Sequence, residues 1–264
     1  MSSPIAIEAR LTQTADPHAV AYVLRIADSC LVHGQRLAEW CGHAPVLEED
    51  IAMTNIALDH IGQARMLLSL AGHLEGQGRD EDALAFFRQE SDYRNVAMLE
   101  LPGGDFARTV LRCFLWSSFL GVLWAALGTS GDEQLAAIAA KSLKETRYHQ
   151  HHTGDWVVRL GDGTEESHRR MNQALADLWP YTAEWFSADE VDAAAAASRL
   201  GPSWDRLKPA WLDKVLPVLQ EARLTVPSDT PFASTGKRGV HTEHMGFLLA
   251  EMQSLPRAFP GAQW

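Results

Sequence analysis

Residues 50–70 read DIAMTNIALDHIGQARMLLSL and predict one long helix that is apolar around much of its circumference. A helix of this kind must be buried on more than one side. One of its stripes is apolar at both ends and polar in the middle, and it consists of Ala52, Ile56, Asp59, Gln63, Met66 and Leu70. A carboxylate inside such a stripe is costly unless a metal, a cation or hydrogen-bond donors meet it. The partner of Asp59 is therefore the central question that this sequence raises.

The whole helix is expected to run from about Leu47 to Glu75 and to be broken by Gly76 and the residues up to Asp80, and further helices are predicted on both sides of it. Asp16 followed by Pro17 is a typical helix start, and helical spacing continues from there to Gly42. No stretch alternates convincingly like a β-strand. The other helices are expected at about residues 81–90, 106–127, 133–160, 165–186, 187–200, 204–224 and 242–255. The expected fold is all-α, with a four-helix bundle at about 16–160, additional C-terminal helices at about 164–258, and a single domain over residues 1–264.

Two connections carry the spacing of capping boxes. They are Ser130 with Glu133 and Ser187 with Glu190, each a hydroxyl three residues before a glutamate. Residues before Asp16 are expected to form a loose leader.

A second polar cluster lies on the helix predicted at 133–160. One face of this helix is apolar at its ends and carries Glu145, His149 and His152 at its centre. Two long helices with carboxylates in mid-core are typical of a ferritin-like bundle. The di-iron form of that bundle takes one Glu from each of two helices and a Glu-x-x-His from each of the other two.

The ligand set of a di-iron centre is incomplete in this sequence. Gly62 follows Asp59 by three residues and Tyr148 follows Glu145 by three, where histidines are required, and residues 106–127 contain no Asp or Glu. Iron needs several oxygen and nitrogen donors. We therefore interpret Asp59, Glu145 and His149 as the remnant of a metal site, held by histidine, arginine or amide partners, in a chain without catalytic residues or a cofactor of its own.

Two alternatives stay open at this point. One is a self-sufficient di-iron oxygenase with unconventional ligands, for which the candidates are Glu39, Asp59, Glu145 and His149. The other is a small-molecule binding module without any link to oxygenases.

Charge and cysteine content exclude several classes of partner. The formal net charge of −11 over 264 residues disfavours nucleic acid and anionic membranes, which require a basic patch. Cys30, Cys41 and Cys113 are far apart, which favours reduced thiols in a cytoplasmic protein, and no export signal is recognised at the N-terminus. The most apolar segment, residues 113–127, is short for a membrane span and is expected to be a buried core helix.

Several motifs resemble one known family. They are LAEWCGHAP at 37–45, NIALDHIGQAR at 55–65, KETRYH at 144–149, TGKRGVHTEH at 235–244 and AEMQ at 250–253. In this order they resemble the C subunits of bacterial phenylacetyl-CoA 1,2-epoxidases, also called phenylacetyl-CoA monooxygenases. The resemblance extends over nearly all of the chain after about Val20.

The resemblance implies a ferritin-like fold and a structural, non-catalytic role in aerobic phenylacetate degradation. It implies tight association with a homologous A subunit that carries the di-iron centre. It also implies further subunits, among them a reductase that delivers electrons from NADPH. The assembly would add one oxygen atom to the aromatic ring of phenylacetyl-CoA.

The resemblance also implies that the C subunit touches the CoA substrate. The candidate residues are Asp92, Tyr93, Arg94 and Asn95, together with Ala193, Ala194 and Ala195. Chemically, Arg94 is suited to a phosphate and Tyr93 to the face of an adenine. The alternative is that residues 92–95 form an edge of the bundle and pack on its own core.

Overall fold

The computed structural model describes residues 16–228 and 231–262, and the secondary structure in them is helical apart from one antiparallel bridge between Thr235 and Val240. The predicted leader before Asp16 lies outside the described residues. The all-α prediction is confirmed. The α-helices are α1 (Pro17–Ala38), α2 (Leu47–Glu75), α3 (Glu81–Phe86), α4 (Phe106–Leu127), α5 (Glu133–Gly161), α6 (Glu165–Leu178), α7 (Thr182–Trp185), α8 (Glu190–Ala197), α9 (Lys208–Glu221) and α10 (Glu243–Ala258).

Four of these helices, α1, α2, α4 and α5, form the predicted bundle from two hairpins. In the first hairpin the rings of His33 and His60 lie 4.9 Å apart and Cys30 lies beside Gln63, so the two helices are antiparallel. In the second hairpin Phe114 lies against Gly154 and Gly121 lies against Thr146, which is again an antiparallel pairing. Two antiparallel hairpins are the expected result of long helices joined by short connections.

The sequence signals placed the ends of the bundle helices well, except that α1 ends at Ala38 and does not continue to Gly42. The side chain of Asp16 accepts a hydrogen bond from the backbone N–H of His18, and Pro17 opens α1 as expected. Helix α2 ends at Gly76, whose φ of 68° is left-handed and suits a residue without a Cβ atom. Helix α4 has the predicted bounds.

Both predicted capping boxes are wrong in their residues. Asp132 caps α5 by accepting from the N–H of Leu135, while the hydroxyl of Ser130 donates to the carbonyl of Leu200. Asp189 caps α8 and forms the capping box with Asp192. In both connections an aspartate follows the predicted serine by two residues. Its carboxylate is the stronger acceptor for the free N–H groups of the first turn.

The helix predicted over residues 165–186 is interrupted. Helix α6 ends at Leu178, a 3₁₀ turn covers Trp179–Tyr181, and α7 follows. Pro180 lies within that turn and has no N–H for the helical ladder, which explains the break. The helix predicted over 204–224 likewise divides into a 3₁₀ turn, Trp204–Leu207, and α9, which continues through Pro217.

An aromatic cluster joins the bundle to the C-terminal helices. Trp116 and Phe119 of α4 pack on Trp185 at 5.4 Å between ring centroids, and Phe119 packs on Trp204 at 4.9 Å. The indole N–H of Trp211 on α9 donates to the carbonyl of Leu115 at 3.1 Å. Burial of such rings is a large hydrophobic contribution, so the additional helices share one core with the bundle.

Helix α4 is long and apolar enough to cross a membrane by length and composition, with a mean hydropathy of 1.7. Of its most apolar window, 78% is buried inside the protein. This is the behaviour of a core helix, as the sequence predicts for residues 113–127.

A buried ion pair fixes the start of α10. Nδ1 of His241 lies 2.8 Å from the carboxylate of Glu100, and its Nε2 lies 3.2 Å from the carbonyl of Tyr93. Both neighbours are acceptors, so only the doubly protonated imidazolium donates to both. Burial alone would lower the pKa of His241, but the hydrogen bond and charge of Glu100 outweigh burial and raise it.

The substitution His241→Gln tests this pair through its pH dependence. A raised pKa in the folded state means that the folded chain binds more protons than the unfolded chain. We expect the loss of unfolding free energy in His241→Gln to be largest below about pH 6.5 and to shrink as the pH rises through the raised pKa, by at most about 1.4 kcal/mol per pH unit. Urea unfolding between about pH 6 and pH 9 measures this.

The substitution His43→Gln, at an exposed histidine, is the matched control for loss of an imidazole. A destabilisation by His241→Gln that grows with pH would contradict the assigned charge state.

Candidate functional site

Three polar pairs join α2 to α5, and we call them the polar seam. Glu49 lies 2.9 Å from Nε2 of His152, and Asp59 lies 2.8 Å from Nε2 of His149. The amide N–H of Gln63 donates to Glu145 at 3.0 Å. Each carboxylate of the seam thus has a partner on the facing helix, as expected of carboxylates withdrawn from water. The interpretation of Asp59 and Glu145 as members of a network with histidine and amide partners agrees with this geometry.

The position of Asp59 within the helix is a correction to the predicted stripe. Its side chain is 37% exposed and that of Glu145 is 23% exposed, so both lie at the rim of the core. The fully buried polar residues of α2 beside them are His60 and Gln63, while Asn55 is exposed. Helix α2 is apolar on several faces, so its sequence pattern does not fix the rotation of the helix to within one residue.

Three buried imidazoles continue inward from the seam. The ring of His60 lies 5.1 Å from that of His149 and 4.9 Å from that of His33 on α1. Both nitrogens of His33 and of His60, and Nδ1 of His149, lack a hydrogen-bond partner in the described residues. Burial, followed by neighbouring His149, holds the pKa of His60 well below its usual value. His60 is therefore neutral at neutral pH.

Sequence reasoning did not find His33, His60 or Glu49 as members of this site. Helix α1 buries nearly all of its residues, so His33 lies in no recognisable polar stripe. His60 directly follows Asp59, which was assigned to the core face. Glu49 resembles an acidic residue in the first turn of a helix, a common solvent-exposed feature. The available signal was the repetition of histidines on three of the four long helices.

The donor set does not fit a di-iron centre. Helix α4 contributes no carboxylate, and Asp59 and Glu145 are bound by His149 and Gln63. Glu39 lies beyond the end of α1 and pairs with Arg36 at 2.6 Å. Within residues 16–228 and 231–262, no group of three or more His, Cys, Asp or Glu side chains has the arrangement of a metal site. The unconventional ligand set of Glu39, Asp59, Glu145 and His149 is therefore not assembled.

The candidate residues of the 92–95 segment divide into two buried and two outward positions. The hydroxyl of Tyr93 donates to the carbonyl of Ala85 and accepts from Gln253 at 2.9 Å, and its ring lies under the guanidinium of Arg88. Asn95 is fully buried and donates to Glu100 at 2.8 Å. The suggested stacking of an adenine on Tyr93 is therefore wrong, because the ring is enclosed by its own chain.

Asp92 and Arg94 line an open groove of about 520 Å³. The guanidinium of Arg94 donates to the carbonyls of Ser91 and Tyr93 at 2.6 and 2.8 Å. Burial lowers the pKa of Arg94. Four residues of α1 form the apolar floor of the groove: Pro17, Val20, Ala21 and Leu24. Four polar residues, from the end of α2 to just after α3, complete its lining: Glu75, Gln77, Arg79 and Arg88. An apolar floor beside guanidinium groups suits a ligand with an acyl chain and phosphates.

Ala193, Ala194 and Ala195 lie on α8, which packs against α1. Ala193 is exposed, Ala194 is half-buried and Ala195 is buried. Helix α8 is fixed by Arg25, the residue after the groove's Leu24, which donates to Asp189 at 2.5 Å and to Asp192 at 3.1 Å. Helix α8 therefore packs on α1, the helix that also lines the groove, and Ala193 is the exposed one of the three alanines.

An apolar surface flanks the polar seam, and we call it the seam stripe. It consists of Leu47, Ile51 and Leu58 on α2 and Tyr148 on α5, which are between 50% and 72% exposed. Helix α2 thus carries apolar side chains that the described residues do not cover, whereas the apolar residues of α4 are mostly buried within the bundle and the aromatic cluster. Clustered exposed apolar side chains mark interaction surfaces.

Two comparisons with known proteins agree with the motifs. A family model described as "Phenylacetic acid catabolic protein" matches residues 1–264. The C subunit of 1,2-phenylacetyl-CoA epoxidase from Escherichia coli (strain K12) is 48% identical over 244 residues, which cover 92% of this chain and 98% of the relative. The resemblance inferred from the motifs is thereby confirmed, and the fold is the all-α ferritin-like fold. The chain belongs to the phenylacetic acid catabolic protein family.

Proposed function

We propose that this chain is a non-catalytic, structural subunit of a multicomponent phenylacetyl-CoA 1,2-epoxidase, supporting a homologous subunit that carries the di-iron centre. The observation that carries the proposal is the polar seam. Its carboxylates are hydrogen-bonded to His149, His152 and Gln63, and helix α4 contributes no carboxylate, which supports a bundle without an iron centre of its own. The relative is named as a lettered subunit of an epoxidase, which supports an assembly of several chains.

In this proposal the two subunits contribute different parts of the reaction. Addition of one oxygen atom of O₂ to the ring, with the other oxygen leaving as water, needs two electrons, two protons and a centre that activates O₂; the partner's di-iron centre would activate the O₂ and a reductase would deliver the electrons. This chain supplies a rigid helical surface, because the polar pairs and the histidines hold α1, α2 and α5 in fixed register. A self-sufficient oxygenase is less well supported, since Glu39 is paired with Arg36 rather than with the carboxylates of the seam.

The seam stripe is the surface that we assign to the partner. Leu47 and Leu58 are 72% and 59% exposed, and they lie on the two sides of Ile51 along the outer face of α2. A homologous helical subunit would present helices of the same length and spacing, so helix-on-helix packing fits this face. Docking there would also cover the exposed edges of Asp59 and Glu145 and strengthen their hydrogen bonds.

The groove beside Arg94 is the surface that we assign to the CoA thioester. Arg94 has no carboxylate partner within hydrogen-bond distance in the described part of the chain, unlike Arg88, which pairs with Asp28. Its charge is therefore free to meet a phosphate. A substrate held between this chain and the catalytic partner would be positioned by both.

Iron content distinguishes the structural subunit from a self-sufficient oxygenase. We expect the chain purified alone to hold little iron and to show no epoxidase activity. Co-expression with a homologous subunit that has the complete carboxylate and histidine set should yield a stable complex with the iron in that subunit. Metal analysis and activity of both samples check this. About two irons per chain in the isolated protein would contradict the proposal.

The double substitution Ile51→Glu with Leu58→Glu tests the seam stripe. It places two carboxylates in a surface that loses its bound water when the partner binds. We expect the affinity for the partner to fall at least about 100-fold, or roughly 2.7 kcal/mol, with little change in the melting temperature of the isolated chain. Co-purification and binding measurements record the loss.

The control is Phe247→Glu, at an apolar residue on α10 that is more exposed than Ile51 or Leu58. Retention of the complex by the double variant, with loss of the complex in Phe247→Glu, would assign the partner to α10 instead.

The substitution Arg94→Gln tests the groove. We expect affinity for CoA to fall about tenfold, because a charge-assisted contact with phosphate is lost. Isothermal titration of the full chain, alone and in the complex, measures the change. Arg206→Gln, at an exposed arginine elsewhere, is the control. An unchanged affinity in Arg94→Gln would remove the groove from the substrate path without affecting the structural role.

A further inference from the structure

The guanidinium of Arg112 is completely buried, and only one of its three nitrogens has hydrogen-bond partners in the described residues. Nη1 donates to the carbonyls of Leu101 and Pro102 at 2.5 and 3.3 Å. Nε and Nη2 have no hydrogen-bond partner in the described residues, and Arg112 has no exposed surface. These two nitrogens form one edge of the planar group, the edge that binds carboxylates and other anions with two parallel hydrogen bonds. Buried N–H groups nearly always have an acceptor, so two neighbouring donors without one indicate that an acceptor binds there.

The charge around Arg112 is also uncompensated. Burial, followed by the neighbouring cations Arg108 and Arg36, lowers the pKa of Arg112 to about 10, so the group is still protonated at neutral pH. Glu39 favours the charged form, but its carboxylate is already bound to Arg36 at 2.6 Å. Arg108 in turn pairs with Asp177 on the other side. A buried cation without a counter-ion is strongly disfavoured.

We propose that the Nε–Nη2 edge of Arg112 binds a small monovalent anion, a halide or a short carboxylate, in the interior of the bundle beside the 101–102 turn. Arg112 has no exposed surface, so an anion bound to this edge would be surrounded by protein and would have shed its water. The anion would neutralise the guanidinium and satisfy the two orphaned donors. It would also fix the turn that Arg112 holds through its other nitrogen. This site is independent of the proposed function.

Crystals of the full chain containing bromide test the proposal directly. We expect an anomalous peak at hydrogen-bond distance from both Nε and Nη2 of Arg112. Density for a water molecule without bromide signal would overturn the proposal. So would a carboxylate of the chain itself lying in the guanidinium edge.

Melting temperatures provide the test in solution. At equal ionic strength, replacing bulky gluconate by chloride, bromide, formate or acetate should raise the melting temperature by about 3–5 °C when the anion is tenfold above its dissociation constant. A shift with the halides alone identifies a halide site, and a larger shift with formate identifies a carboxylate site. Absence of a shift with all four anions would overturn the proposal.

The substitution Arg112→Lys keeps the charge but removes the two-nitrogen edge. We expect the anion-dependent shift to fall below about 1 °C in this variant. Arg108→Lys, one turn earlier on the same helix, is the matched control and should keep the full shift. An equal shift in Arg112→Lys would overturn the assignment. If Arg112→Lys does not fold, the bromide map and chloride-35 NMR line broadening of the unmodified protein test the proposal. Anion signal in both supports it, and absence of anion signal in both overturns it.

Discussion

A carboxylate that leaves water must find a partner, and this requirement shapes the contact between α2 and α5. The two hairpins of the bundle meet there through Glu49, Asp59 and Glu145, each bound by a side chain of the opposite helix. Removal of one member of such a pair leaves a desolvated group behind, which costs far more than the net stabilisation of the intact pair. The arrangement of polar pairs therefore determines the relative register of the hairpins more strictly than the surrounding aliphatic contacts do.

Helix α1 has a comparable organising role for the rest of the chain, through buried charges. Arg25 binds Asp189 and Asp192 of α8, and Asp28 binds Arg88 after α3. Arg36 donates to the backbone carbonyls of Glu100 and His244, and so reaches the beginning of α10. These partners of α1 lie between 60 and 208 positions away in the sequence. The buried contacts attach the connecting segments and the C-terminal helices to the bundle at defined points.

The functional proposal links these two features. In this proposal the carboxylates act as hydrogen-bond acceptors for histidine and glutamine and stabilise the bundle, while the iron ligands are those of the partner subunit. The same face carries apolar residues that the chain itself does not cover, beginning at Leu47 and extending to Leu58. A rigid polar interior below an apolar exterior is a suitable base for a partner subunit, because little ordering is required when the partner binds.

Much of the fold could be predicted from the sequence because helix formation depends on local signals. The bounds of α2 and α4, the caps at Asp16 and Gly76, and the bundle itself follow from hydrophobic periodicity and from turn residues close by in the chain. The incompleteness of the iron ligand set also followed from sequence, since Gly62 and Tyr148 occupy the required histidine positions. The motifs at residues 55–65 and 235–244 indicated the family.

Only the tertiary structure decided which side chains meet. The placement of His60 rather than Asp59 in the core depends on the rotation of α2, which is apolar on several faces and therefore carries no unique pattern. The enclosure of Tyr93 by Arg88 and Gln253 depends on a contact across 160 residues. The buried row of His33, His60 and His149 joins three helices, and the unused edge of Arg112 lies on the fourth. Local sequence determines helices, whereas desolvation of polar groups acts on pairs that become neighbours only after the helices have packed.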